Sequence, residues 1–141
     1  MSNLTRNQKR GEQLKGRYKR WKEWKLERED GFFPIWSDFL DVLPKLSGGA
    51  LRLYIFLGLV SKNWTGESWY PVKKIQEKLG CSERSIQKWF KELQEQKLIV
   101  RFQHRLNGVS FTYLLPYSKE PSRKKRQKEE SSYKDEEIEF I

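Results

Sequence analysis

The sequence predicts a mostly α-helical domain with one small β-hairpin, an α+β class. A helical N-terminal extension precedes it and a disordered C-terminal tail follows. Three stretches carry this expectation. "LGCSERSIQKWFKELQEQKLI", residues 79–99, breaks two charged amphipathic segments with only glycine, cysteine and serine. "LSGGALRLYIFLGLV", 46–60, has the apolar density of a buried helix. "KLIVRFQHRLNGVSFTYLLP", 97–116, alternates as strand, turn and strand.

Length and charge bound the function. A chain of 141 residues accommodates one compact domain plus appendages. The net charge of +10 points to an anionic partner, with nucleic acid ahead of an acidic membrane surface. Cys81 is the single cysteine and His104 the single histidine, so an intrachain disulfide, a Cys-rich metal site and a His pair are excluded. No cofactor motif is present. The N-terminus is polar and basic, unlike a signal peptide. "ALRLYIFLGLV" is too short to span a membrane and carries Arg52. A soluble, cytoplasmic protein associated with the nucleoid is expected.

Residues 1–30 form a basic, aromatic extension, partly helical, with Leu14, Tyr18, Trp21 and Trp24 at helical spacing. Gly11 and Gly16 weaken its start. It admits three readings: a helix that packs Trp21 and Trp24 on the domain, a basic arm along a DNA backbone, or an interfacial membrane helix. Glu23, Glu27 and Glu29 oppose the last.

The domain is expected over 31–117, opening with an extended entry and a short helix around Trp36–Leu43. Ser47 can cap the next helix, which runs to about Ser61 and is apolar nearly all round. "NWTGESWYP" supplies a turn and a short aromatic strand. Pro71 suits the first position of a further helix, whose apolar stripe is Val72, Ile75 and Leu79. Gly80 ends it in the left-handed conformation. Ser82 caps the helix that follows, 82–96, with Glu83 near its positive end. Two helices joined by so tight a turn make a helix-turn-helix. Asn107-Gly108 is a preferred hairpin turn, so 98–115 forms a hairpin that Pro116 ends. Helix, short strand, helix-turn-helix and hairpin, in that order, give a winged helix-turn-helix. Residues 118–141 are too poor in apolar groups to offset their ordering entropy, so they are expected to be disordered.

The helix 82–96 carries the candidate site. Ile86, Phe90 and Leu93 share one face. At about 100° per residue, Arg84, Lys88 and Lys91 then fall opposite, with Ser85 and Gln87 on the flanks. A second helix of this kind enters the DNA major groove, where its first residues meet base edges. Arg84 and Lys88 can donate to guanine, Gln87 can pair with adenine, and Ser85 can donate or accept. Ser82 and the helix N-terminus can hold a phosphate, and Lys91 lies further along, toward backbone. Glu92 and Glu95 would be repelled by phosphates, which limits the approach to the first two turns. In the hairpin, Arg101 and Arg105 share one side of their strand and Asn107 sits at the tip, so a cationic wing could grip phosphates or a minor groove. His104 is expected to pack or face solvent, and Cys81 to pack as a small apolar group.

Leu46-Ser47, Tyr70-Pro71, Gly80-Cys81-Ser82, Leu93 and Leu98-Ile99 resemble the pattern of bacterial winged-helix domains. These occur in plasmid and phage replication initiators, replication-restart proteins and small regulators. The resemblance covers residues 46–115 and implies the fold and DNA binding. The chain departs from initiators in lacking a second, larger domain, so it implies an accessory or regulatory role more readily than a complete initiator.

The expected function is thus binding of double-stranded DNA, in transcription regulation or replication control of a bacterial chromosome, plasmid or phage. No catalytic set is visible, and the chain is not expected to be an enzyme. Asp38 and Asp41 are most simply capping or surface residues. Two other classes stay open. One is an interaction module that docks on a replication or transcription complex through the N-terminal aromatics and the tail, with Ile138, Phe140 and Ile141 as anchors for a protein partner. The other is a single-strand or RNA binder that stacks bases on exposed aromatics. A homodimer would require two half-sites about one helical turn apart.

Overall fold

The structure is a computed structural model and describes residues 5–62, 64–105 and 108–120. The chain divides after Phe32 into two units.

The first unit is a single helix, α1 (Arg6–Glu27), of 22 residues. It starts upstream of both glycines because Thr5 and Gln8 form a capping box. The Thr5 hydroxyl accepts from the Gln8 N–H at 3.1 Å, and the Gln8 amide oxygen accepts from the Thr5 N–H at 2.7 Å. No residue of α1 is buried. Trp21 and Trp24 are exposed, and Arg28 lies 4.5 Å from the centre of the Trp24 ring. Asp30 holds the end of the unit through ion pairs with Lys25 and Arg28.

The second unit opens with two short 3-10 turns, Ser37–Asp41 and Leu43–Lys45, where one short helix is expected. Pro44 lies in the second turn and has no N–H to extend a helical ladder. The turns lay Phe39 face to face on Tyr54, with ring centres 5.2 Å apart. Tyr117 meets Phe39 edge-on, and its hydroxyl accepts from the Trp36 N–H at 2.9 Å. Segments 81 residues apart are thereby joined.

Helix α2 (Gly48–Val60) is capped by Ser47 and provides Ala50, Leu53, Tyr54 and Leu57 to the core. Ile55 and Leu59 remain exposed, so the helix is not buried all round. A two-residue strand, β1 (Glu67–Ser68), leads to α3 (Val72–Leu79). Pro71 stands one position earlier than expected, as the cap residue of α3. Gly80 ends α3 at φ 65°, a conformation that glycine adopts without strain. Ser82 then caps α4 (Glu83–Glu95). Ile86, Phe90 and Leu93 of α4 are buried with Ile75 of α3 and with Leu98 and Ile99.

Strands β2 (Ile99–Gln103) and β3 (Ser110–Leu114) pair antiparallel, with Arg101 opposite Thr112 and Phe102 opposite Phe111. β1 pairs with the other edge of β3, giving the order β1-β3-β2. The element order and pairing are those of a winged helix-turn-helix. The expected tail, 118–141, lies outside the described residues from position 121 onward. Among the described residues no helix is long and apolar enough to cross a membrane.

Candidate nucleic-acid interface

The turn between α3 and α4 is fixed from three sides. Gly80 N–H donates to the Gln76 carbonyl at 2.8 Å. Arg52, on α2, donates through Nη2 to the Leu79 carbonyl at 2.9 Å and through Nη1 to Cys81 Sγ at 3.6 Å. A cation at the carbonyl end of α3 suits the helix dipole. The Cys81 thiol donates to the same Leu79 carbonyl at 3.3 Å. Cys81 is therefore a partly buried polar brace of the turn, beyond the small apolar group expected.

Ser82 starts α4. Its hydroxyl accepts from the Ser85 N–H at 3.2 Å and donates to the Ser85 hydroxyl at 3.0 Å. Ser85 is thus half-buried and already engaged, whereas Arg84, Gln87, Lys88 and Lys91 are exposed. The apolar stripe of α4 points into the core, so these four side chains occupy its solvent face. Trp89 lies beside the stripe and packs on Gly49 of α2. A Cβ on Gly49 would stand 2.0 Å from the Trp89 indole.

Glu92 is not a free surface carboxylate. Its Oε1 accepts from the Ser47 N–H at 3.1 Å, and its Oε2 from the Ser47 hydroxyl at 2.6 Å. An anion is thereby held at the N-terminus of α2, where the helix dipole favours it.

The hairpin arginines separate. Arg105 is exposed. Arg101 faces inward with buried Thr112, its guanidinium 4.1 Å from the centre of the Phe90 ring. Arg101 Nε is buried and has no hydrogen-bond partner among the described residues, and burial lowers the guanidinium pKa from its usual value. The period of two placed Arg101 on one side of its strand but did not say which side faces the core. Asn107 lies outside the described residues.

On the outer sheet face, Phe102 stacks on Tyr113, and His104 stacks on Phe111 at 3.9 Å between ring centres. His104 also contacts the Tyr113 hydroxyl through Nε2. Among the described residues no cluster of His, Cys, Asp and Glu could hold a metal ion.

Residues 45–99 match the family model for a helix-turn-helix domain. The chain carries a helix-turn-helix domain. The matched segment runs from the residue before Leu46 to the first residue of β2, so it takes in the helix-turn-helix domain's turn, its capped α4 and the Leu98-Ile99 strand entry. Two solved structures are similar to the chain. The structure of a Rep–DNA complex is 21% identical, covers 77% of this chain and 93% of its own, and has a TM-score of 0.48. The N-terminal domain of a DNA-binding protein is 20% identical, covers 79% and 92%, and has a TM-score of 0.43. No curated protein matches the chain.

Proposed function

We propose that the helix-turn-helix domain binds double-stranded DNA and serves replication or transcription control on a bacterial chromosome, plasmid or phage genome. One observation carries this function: α4 begins at a serine cap and presents Arg84, Gln87, Lys88 and Lys91 outward from a fully apolar inner face. In the proposed complex the first two turns of α4 lie in the major groove. Arg84 and Lys88 donate to base edges, Gln87 pairs with adenine, and Ser85 contributes through its hydroxyl. Ser82, the α4 N-terminus and Lys91 hold phosphates. The hairpin acts as a wing through Arg105 and Asn107. Arg101 supports that wing from within, because its guanidinium is committed to Phe90.

Glu92 strengthens the proposal by its position. Engaged by Ser47, it is held toward α2 and away from an approaching phosphate. The test is a pair of substitutions. Lys91→Ala should weaken binding about equally on all sequences and lower the salt slope by about 1. Arg84→Ala should also relax specificity at one base position, at a cost of about 1–3 kcal/mol. Parental binding by both variants would refute the assignment of α4.

A further inference from the structure

The four arginines of α1 share one face, whereas three of its five lysines gather on the other; Lys9 borders the arginine row and Lys25 lies between the two groups. At about 100° per residue, Arg6, Arg10, Gln13, Arg17 and Arg20 fall within roughly 80° of the helix surface. Lys15, Lys19 and Lys22 fall on the opposite side, again within an arc of about 60°. All these side chains are exposed. Lys15 is paired with Glu12 at 3.3 Å, whereas Arg6, Arg10, Arg17 and Arg20 have no carboxylate within ion-pair distance among the described residues. Gly16 allows Arg20 to lie across the bare backbone, since a Cβ there would stand 3.1 Å from Arg20 Nη1. Trp21 stands beside the arginine row and contacts Tyr18, their rings 5.7 Å apart.

A solvated charged face has no reason to gather all four arginines of the helix on one side. A phosphate-reading face does, because the planar guanidinium fork matches phosphate oxygens in pairs and the ammonium does not. From Arg6 to Arg20 the row is about 21 Å long, comparable with more than half a turn of duplex. A helix that is polar nearly all round and buries nothing also lacks its own source of stability, which a polyanion would supply. A membrane surface fits less well, since the apolar strip is narrow.

We propose that the arginine face of α1 is a second contact to duplex DNA, separate from α4, which grips phosphates and lengthens the footprint of the protein. The choice of duplex DNA as ligand rests on the function proposed above. The experiment compares two full-length triple variants of equal charge. One combines Arg10→Ala, Arg17→Ala and Arg20→Ala, and the other Lys15→Ala, Lys19→Ala and Lys22→Ala. Alanine favours the helix in both, which far-UV circular dichroism checks. Binding to a fluorescent duplex is titrated across salt concentrations, and the footprint is mapped by nuclease protection.

The arginine variant should lose about 3 from the salt slope and show a shorter footprint, while the lysine variant stays within about 1 of the parent. Equal losses in the two variants would overturn the proposal, as would a parental slope and footprint in the arginine variant. Failure of α4 as the reading helix gives a different pattern. Arg84→Ala would then keep the parental sequence preference, while the arginine variant still lost slope and footprint. A parent chain without affinity for duplex DNA would overturn both.

Discussion

Arg101 on β2 stacks its guanidinium on Phe90 of α4, 4.1 Å from the ring centre. This contact ties the hairpin to the helix that presents Arg84 and Lys88. In the function proposed above, Arg101 is for this reason a support of the wing and makes no phosphate contact. Arg101→Ala should therefore lower stability by about 1–2 kcal/mol, from the lost cation–π contact and the packing of the side-chain stem. The salt slope of DNA binding should stay within about 0.5 of the parent, since a phosphate contact would contribute about 0.9. Urea unfolding and a salt titration read the two quantities, and a slope lowered by a full unit would return Arg101 to the DNA surface.

Two glycines should respond in opposite directions to alanine. Gly49 lies under the Trp89 indole, so Gly49→Ala forces that ring or α2 to move. The strain of about 1–3 kcal/mol should exceed the gain of about 1 kcal/mol in helix propensity. Gly11 has nothing within 4 Å of a built Cβ. Gly11→Ala should raise the helical content of α1, read by circular dichroism.

Lys97 ends α4 at φ 58°, in the left-handed region. Leu98 N–H donates to the Leu93 carbonyl and Lys97 N–H to the Gln94 carbonyl, both at 3.0 Å, with Leu93 and Leu98 buried. This is a Schellman ending with lysine in the place glycine prefers. Lys97→Gly should stabilise the domain by up to about 1 kcal/mol in a thermal or urea melt.

Tyr54 gives a pH dependence. Burial first, and the neighbouring Tyr117 second, raise its phenol pKa well above the usual 10.0. The folded state then keeps the proton after the unfolded chain begins to lose it. Its contribution is constant below pH 10.0 and is lost as pH rises from there toward the folded pKa. Tyr54→Phe keeps the stacking on Phe39 and should flatten that alkaline fall. Equal slopes in parent and variant above pH 10 would contradict the burial of the hydroxyl.

Local chemistry was legible in the sequence. Gly80, Ser82 and Ser47 mark helix ends because a cap depends on neighbours within a turn. Ile86, Phe90 and Leu93 mark the inner face of α4 because helical period alone places them. Thr5 and Gln8 carried a capping signal as plain as Ser82, and it outweighs the two glycines that weaken the start of α1. Contacts between distant segments left no such trace. Arg52 reaches Leu79, Ser47 reaches Glu92 and Arg101 reaches Phe90 only once the helices have packed. Those contacts decide which charged residues of the surface are free, so the exposed face of α4 was legible in the sequence and the inward turn of Arg101 was not.

The central claim is that α4 reads base edges from its exposed first turns. Selection from a random duplex pool, run in parallel with the parent and Arg84→Ala at low and moderate salt, tests it most directly. The parent should recover a motif at both salt concentrations, and Arg84→Ala the same motif with one position degenerate. Recovery of no motif by the parent, or of an identical motif by both proteins, would contradict it.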